Sequence, residues 1–485
     1  MKRRFVYRLS LSVILFALIA WVISCAVNPV TGKRELMLLT EGDEIALGAQ
    51  TDAEIIATYG FYDDAALNTY ISTLGKKMGL IGHRPNLEYS FKVLDTPVVN
   101  AFAVPGGYVY LTRGILAYLN DEAELAGVIG HELGHVNARH SAQSYSKAQL
   151  AQLGLGIGAA LSETFAQYAG IASFGVSMLF LKFSRDNERE ADELGVEYSA
   201  KTGYDSNGMA KFFETLERLN PSSGQDALPA WFSTHPNPPD RIKSVLEDTK
   251  KWQSKLAGTN FVYNKEQYLT KVNNIIVGED PRQGYVANGM FYHPSLKFQF
   301  PVPSGFALNN TPSQVQMYNE AQDAIVIMAM ASGTTPAAAA NAFVSESQAS
   351  VQRSEAVTVN SLSAHRLITS LQSEQATLGI LSYFIKLDNA IYVFHGYSTL
   401  DKFNGYATTF DNTMKQFKRL TDQSKINVSP SHMSVKKVKS RMTLQNALQQ
   451  NGVPSNKMEA LAILNGMNLN DIVEANTSIK IADKF

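Results

Sequence analysis

One cysteine, Cys25, stands among 485 residues, so no internal disulfide can staple this chain and its stability must come from packing. Excess charge is also missing. The 43 Lys and Arg residues face 44 Asp and Glu, a formal net charge of −1, and no long basic stripe appears, which argues against a nucleic-acid partner. The small basic group Lys436, Lys437, Lys439 and Arg441 reads as a solvated face. Long apolar runs are few. Leu9 to Ile23 follows the basic residues Lys2, Arg3, Arg4 and Arg8 and has the layout of a secretory leader covering residues 1–24. Thr164 to Leu181 carries no charge and is long enough just to span a bilayer, but Gln167, Tyr168, Ser173 and Ser177 lower its apolarity. We expect a buried helical hairpin or a mobile lid there.

What is present is chemistry. His131-Glu132-Leu133-Gly134-His135 spells HELGH, with two histidines at i and i+4 that lie about 40° apart around a helix, so both imidazoles reach one metal ion. Glu132 then faces the water to be activated. Asn120-Asp121 offers an N-cap, and Leu125, Val128, Ile129, Leu133 and Val136 repeat at helical spacing, so the motif is expected on an amphipathic helix. A hydrolytic zinc site takes three protein ligands and leaves a fourth position for water. A third histidine ten residues after the first would stand at 141, which is Ser141; His140 misses by one on a continuous helical pattern and reads as a supporting or packing histidine. The candidate third ligand is therefore Glu188. Asp192 shares its helix face and can accept from a ligand histidine, whereas Glu190 is turned about 200° away.

These blocks resemble the gluzincin peptidases that include the CAAX prenyl endopeptidases, the HtpX membrane proteases and the periplasmic BepA-like proteins. The resemblance runs over about residues 28–250, through Asn100–Tyr110 with Thr112-Arg113-Gly114, the HELGHVNARH run, Ser184–Asp192, and Ser233-Thr234-His235-Pro236 leading to Asp240-Arg241. It implies one zinc per chain on His131, His135 and Glu188, with Glu132 as general base and acid. His235 falls where relatives keep a histidine near the metal. Two roles compete for it, donor to the developing oxyanion or reversible fourth ligand that keeps the enzyme latent; a capping histidine beside Pro236 is the plainer reading. The strand Asn100-Ala101-Phe102-Ala103-Val104, broken by Pro105-Gly106-Gly107, is expected at a sheet edge where a substrate peptide adds as a further strand, with Asn100, Phe102 and Ala103 as contacts.

Val22-Ile23-Ser24-Cys25 resembles a bacterial lipobox, which implies lipidation of Cys25; Ala26 after it favours the outer membrane in a Gram-negative source. An uncleaved anchor or a simple secretory peptide competes with that reading. The expected architecture is multi-domain α+β: a mainly helical zincin protease domain with a small edge-strand sheet (25–257), an α+β sheet module of unknown role (258–425), and a small βααβ module (433–485). The last resembles a LysM-type glycan-binding module but has Arg441-Met442 where Gly-Asp is usual, so packing competes with peptidoglycan binding. Strands are expected at Phe298–Pro303, Gln314–Tyr318, Ala324–Met330 and Leu378–Phe394 with a turn at Asp388-Asn389, and a helix at Ala337–Val351; His293, His365 and His395 are scattered among them. Two functions follow: a zinc endopeptidase acting on misfolded or stalled envelope proteins, or a largely latent chaperone for outer-membrane proteins. Polypeptides, the membrane through the N-terminal lipid, peptidoglycan and the outer-membrane assembly machinery are the partners these readings imply.

Overall fold

The computed structural model describes residues 25–152, 183–219, 231, 234, 235, 240–372 and 376–482, and the fold is that of these residues. The leader through Ser24, the stretch Thr164–Leu181, Ser233 and Pro236 lie outside them. Among the described residues no helix is long and apolar enough to cross a membrane. The chain is mixed α+β and divides into two compact units, residues 1–278 with 431–485, and residues 279–430. The expected break after 257 therefore falls after 278. Tyr268, Leu269 and Val272 are buried in the same core as Leu116 and Ala123, which ties residues 258–278 to the first unit.

In that unit β1 (Cys25–Val27) pairs with β2 (Arg34–Leu36), and α1 (Glu41–Tyr59) opens on a Thr40/Asp43 capping box. After α2 (Ala65–Gly79) come β3 (Ser90–Leu94), β4 (Ala101–Val104) and β5 (Tyr108–Thr112), in the order β3-β5-β4. β4 is antiparallel to β5 and forms one edge. Phe102 and Val104 turn into an apolar cluster with Ile55, Leu94 and Tyr110, the Phe102 and Tyr110 rings 5.1 Å apart. The Phe102 side chain is thus core, contrary to the expected substrate contact, because strand alternation sends it to the face opposite Ala103. What β4 offers at that position is backbone.

Next are α3 (Arg113–Tyr118), α4 (Glu122–Asn137), α5 (His140–Gln152), α6 (Arg185–Lys201), α7 (Asn207–Leu219), α8 (Arg241–Lys255), α9 (Lys265–Val272) and β6 (Ile276–Val277). The HELGH motif lies on α4, whose N-cap Asp121 accepts from Glu124 N at 2.8 Å. The expectation of an amphipathic helix is corrected: every residue of α4 is buried. Its His131, Glu132 and His135 look into the site rather than into solvent. Close crossing with α6 makes this possible. A Cβ on Gly130 would meet Gly195 O at 2.8 Å, and one on Gly134 would meet the Ala191 backbone at 2.9 Å. Nor is the helical pattern continuous to His140: α4 ends at Asn137, Arg139 takes φ +59°, and α5 starts afresh.

Residues 279–430 hold a four-stranded and a seven-stranded antiparallel sheet. The smaller contains β7 (Tyr285–Ala287), β8 (Met290–His293) and β9 (Phe298–Pro301), and the larger begins with β10 (Phe306–Asn310), β11 (Gln314–Asn319) and β12 (Ala324–Ala331). α10 (Pro336–Ser347) precedes β13 (Ser350–Val359), β14 (Leu362–Gln372), β15 (Thr377–Leu387) and β16 (Ala390–Thr399), and α11 (Leu400–Lys415) precedes β17 (Lys418–Arg419). The large sheet runs β10-β11-β12-β16-β15-β14-β13. The core of this unit is aromatic, with Phe291, Phe298, Phe300, Phe394, Phe410 and Phe417 buried together.

The chain then re-enters the first unit. β18 (Ser431–Lys437) pairs with β6, followed by β19 (Met442–Thr443), α12 (Leu444–Gln450), α13 (Ser455–Leu464), β20 (Ile472–Val473) and β21 (Ser478–Ala482), which pairs antiparallel with β18. Lys480 of β21 is fully buried. Its ammonium donates to the carbonyls of Ala117, Tyr118 and Leu119 at 2.7, 3.2 and 2.9 Å, capping the C-terminal end of α3 just before α4 begins.

Candidate metal centre

α4 presents His131 and His135, and α6, opened by a Ser184/Asn187 capping box, presents Glu188 across from them. His235 joins from the third side. One ligand atom from each of these four buried side chains lies within 4.8 Å of the others. The Nε2 atoms of His131 and His135 are 3.0 Å apart, Glu188 oxygens lie 3.6 and 3.5 Å from them, and His235 Nδ1 is 3.1 Å from Glu188 Oε1. Glu132 is buried beside this group, its Oε1 3.6 Å from His235 Nε2. Ala103 of the edge strand β4 lies near that carboxyl, and Ser141 Oγ donates to Ala103 O at 3.3 Å. Asn100 stands one residue before β4, with its side-chain oxygen buried and unpartnered.

Each α4 histidine is held from behind. His131 Nδ1 lies 2.8 Å from Asp192 Oδ1, and Asp192 is gripped by Arg241 through Nε and Nη2 at 2.7 and 2.8 Å. His135 Nδ1 lies 3.0 Å from His140 Nδ1, whose Nε2 is 3.1 Å from Glu190. The Phe183 ring lies flat on His135 with centroids 4.0 Å apart, and Trp231 stacks on His235 at 4.4 Å. Arg241 and Trp231 carry no role in the sequence reading. The signal available for Arg241 was charge: Glu132, Glu188 and Asp192 cannot all be buried without a cation nearby.

The electrostatics follow from burial. It pushes Glu132 up to about 7, while His235 pulls the other way. Burial also holds His131 and His135 well below the usual histidine range. For Glu188 burial alone would raise the carboxyl, but His235, 3.1 Å away, and Arg241 hold it well below the carboxylate range. His235 is raised, since Glu188 and Glu132 outweigh its burial.

The donor set fits a metal ion. If Asp192 and His140 each accept a proton from an Nδ1–H, the two Nε2 lone pairs face each other at 3.0 Å with no hydrogen between them, which a cation resolves. Glu188 Oε2, His235 Nε2 and both Glu132 oxygens are also buried without a hydrogen-bond partner. Two imidazoles on one helix, a carboxylate on the next and a buried glutamate beside them form a cluster of the HExxH kind that could hold a metal ion.

Residues 65–249, the segment that carries the cluster, match the model of Peptidase family M48. The chain is similar to the putative beta-barrel assembly-enhancing protease of Vibrio cholerae, 34% identical over 201 residues that cover 39% of this chain and 40% of that protein. It is 29% identical to the beta-barrel assembly-enhancing protease of Escherichia coli over 215 residues, 42% of this chain and 43% of the other. The mitochondrial metalloendopeptidase OMA1 of Schizosaccharomyces pombe is 29% identical over 225 residues, 45% of this chain and 65% of that one. The chain thus spans less than half the length of these curated bacterial relatives.

Proposed function

We propose that this protein is a zinc-dependent endopeptidase that hydrolyses peptide bonds in cell-envelope proteins, misfolded or stalled ones among them. The observation that carries the reading is the convergence of His131, His135, Glu188 and His235 in one buried cluster with Glu132 beside it. Zinc held by His131, His135 and Glu188 would supply Lewis acidity and ease deprotonation of water near neutral pH. Glu132, pushed up to about 7, suits a group that takes a proton from the attacking water and returns it to the leaving amine nitrogen. Asp192, held by Arg241, orients His131. The outer edge of β4, unpaired with another strand among the described residues, would take the substrate as an added strand, reading its backbone more than its side chains. We read His235 as a reversible fourth ligand, because its ring lies inside the cluster, and a latent resting state follows.

The names of the bacterial relatives support a place in outer-membrane protein assembly, with lipidation at Cys25 supplying the anchor at the periplasmic face. The order β18, α12, α13, β21 agrees with a LysM-like module, and the buried Lys480 favours packing over glycan binding as its use. A largely latent chaperone is the second reading, favoured by the His235 position. Casein digestion, metal analysis and membrane fractionation of wild type, Glu132→Gln and Cys25→Ala separate these. We expect one zinc per chain in all three, hydrolysis lost by roughly 10²–10⁴-fold only in Glu132→Gln, and membrane retention lost only in Cys25→Ala. Equal digestion by wild type and Glu132→Gln would remove the peptidase reading.

A further inference from the structure

We propose that His140 and Glu190 are positioning residues for the metal centre, forming a relay that keeps the proton of His135 on Nδ1 and its Nε2 turned toward Glu188. The proposal rests on the metallopeptidase reading above and extends it to residues outside the donor set.

The argument is one of proton placement. His135 Nε2 faces the cluster, 3.0 Å from His131 Nε2 and 3.5 Å from Glu188 Oε1. A nitrogen that carries a hydrogen cannot also hold a metal, so the His135 proton must sit on Nδ1. Across from that Nδ1, at 3.0 Å, is His140 Nδ1. Two ring nitrogens at this distance share one hydrogen; with His135 donating, His140 must accept on Nδ1 and carry its own proton on Nε2. That Nε2 is 3.1 Å from Glu190 Oε2, a carboxylate that can only accept when ionised. One choice at His135 therefore sets every hydrogen along the row, and the last group is the type the row requires. Were the hydrogens reversed, His135 would be protonated on Nε2 and closed to a metal.

Local structure explains how His140 arrives there. On an unbroken helix a residue five positions after His135 would lie about 140° around the axis, away from its ring. The left-handed turn at Arg139 ends α4 and swings His140 back against His135. Phe183, flat on the His135 ring, closes one face of the pair. α6 then serves both histidines: Asp192 meets His131 directly, and Glu190, on another face of the same helix, meets His135 through His140.

The test uses the full-length protein with zinc and a chromophoric chelator in competition. His140→Ala should weaken zinc binding by roughly 10–100-fold, the range for loss of a ligand's hydrogen-bond partner. His140→Gln can accept from His135 and donate to Glu190, so it should recover most of that loss, which a merely space-filling role would not predict. In zinc-loaded wild type, ring ¹⁵N shifts should show His135 protonated on Nδ1 and His140 on Nε2. The proposal is overturned by His140→Ala with wild-type zinc affinity, or by a His140 ring protonated on Nδ1; the second measurement decides even where the alanine variant does not fold. Failure of wild type itself to take up one zinc would instead overturn the metallopeptidase reading beneath it.

Discussion

The helix pair α4 and α6 buries charged groups where the helices cross, whereas the unit of residues 279–430 buries aromatic rings and keeps most of its charges at least partly in solvent, Asp280 excepted. Around HELGH, Glu132, Glu188, Asp192 and Arg241 are all buried. In the other unit the ion pairs Lys402–Asp323, Arg353–Glu355 and Arg419–Asp388 lie at least partly in solvent, and Phe291, Phe298, Phe300 and Phe394 fill the interior. Burying an ionised group costs several kcal/mol unless partners repay it, and replacing such groups with apolar ones is often neutral or stabilising. A region that keeps its charges buried is therefore arranged for something besides stability, while the aromatic interior needs only packing to explain it.

The contrast breaks most sharply at Glu188, the carboxylate proposed as a metal ligand. Glu188→Ala should lose nearly all zinc while the folded signal of the metal-free protein changes little, and Phe394→Ala should do the reverse, costing about 3–5 kcal/mol of stability for its unit with zinc content unchanged. Metal analysis beside thermal melts of both variants checks this; zinc loss in Phe394→Ala would show that the two regions are not separable in this way.

A smaller effect comes from Glu124, two turns before His131 on α4. Burial and the nearby Asp121 push its carboxyl from 4.5 up to about 8, so the folded chain holds a proton there that the unfolded chain has released. Its contribution to stability is full below about pH 4.5 and is lost as pH rises toward 8. Lys480, pressed down to about 7 by burial, works in the opposite sense above that pH. Between pH 5 and 7 the wild-type melting temperature should fall, and Glu124→Gln should flatten the slope; an unchanged slope would assign it to other groups. The smallest effect belongs to the surface. Arg419→Ala removes an exposed ion pair and should leave the melting temperature unchanged within error.

The same contrast marks what could be read from the sequence. Helical spacing alone aligns His131 with His135 and Glu188 with Asp192, and alternation with a Pro-Gly-Gly break picks out β4 as an edge, because local geometry sets these relations. Strands β12, β15 and β16 announce themselves by runs of Val, Ile, Leu and aromatic residues, and β11 by the alternation of Gln314, Val315, Gln316 and Met317. The hairpin β13–β14 does not: Ser350–Val359 is mostly exposed at the sheet edge and carries polar residues where a buried strand would not. The full burial of α4, the turn at Arg139 and the Arg241 grip on Asp192 depend on segments far apart in the chain. So does the core position of Phe102, and no local window contains it.

Lys480 carries a consequence for the order in which the molecule can be made. Synthesis runs from the amino end, so the strands of residues 279–430 emerge and can pair while β21 is still untranslated. The carbonyls of Ala117, Tyr118 and Leu119 must then wait for a cation more than 360 positions downstream. Closing so long a loop is slow compared with forming hairpins, since its entropy is lost before any contact rewards it. The end of α3, and with it the entry to the helix that bears Glu132, is therefore expected among the last parts of the fold to be seated.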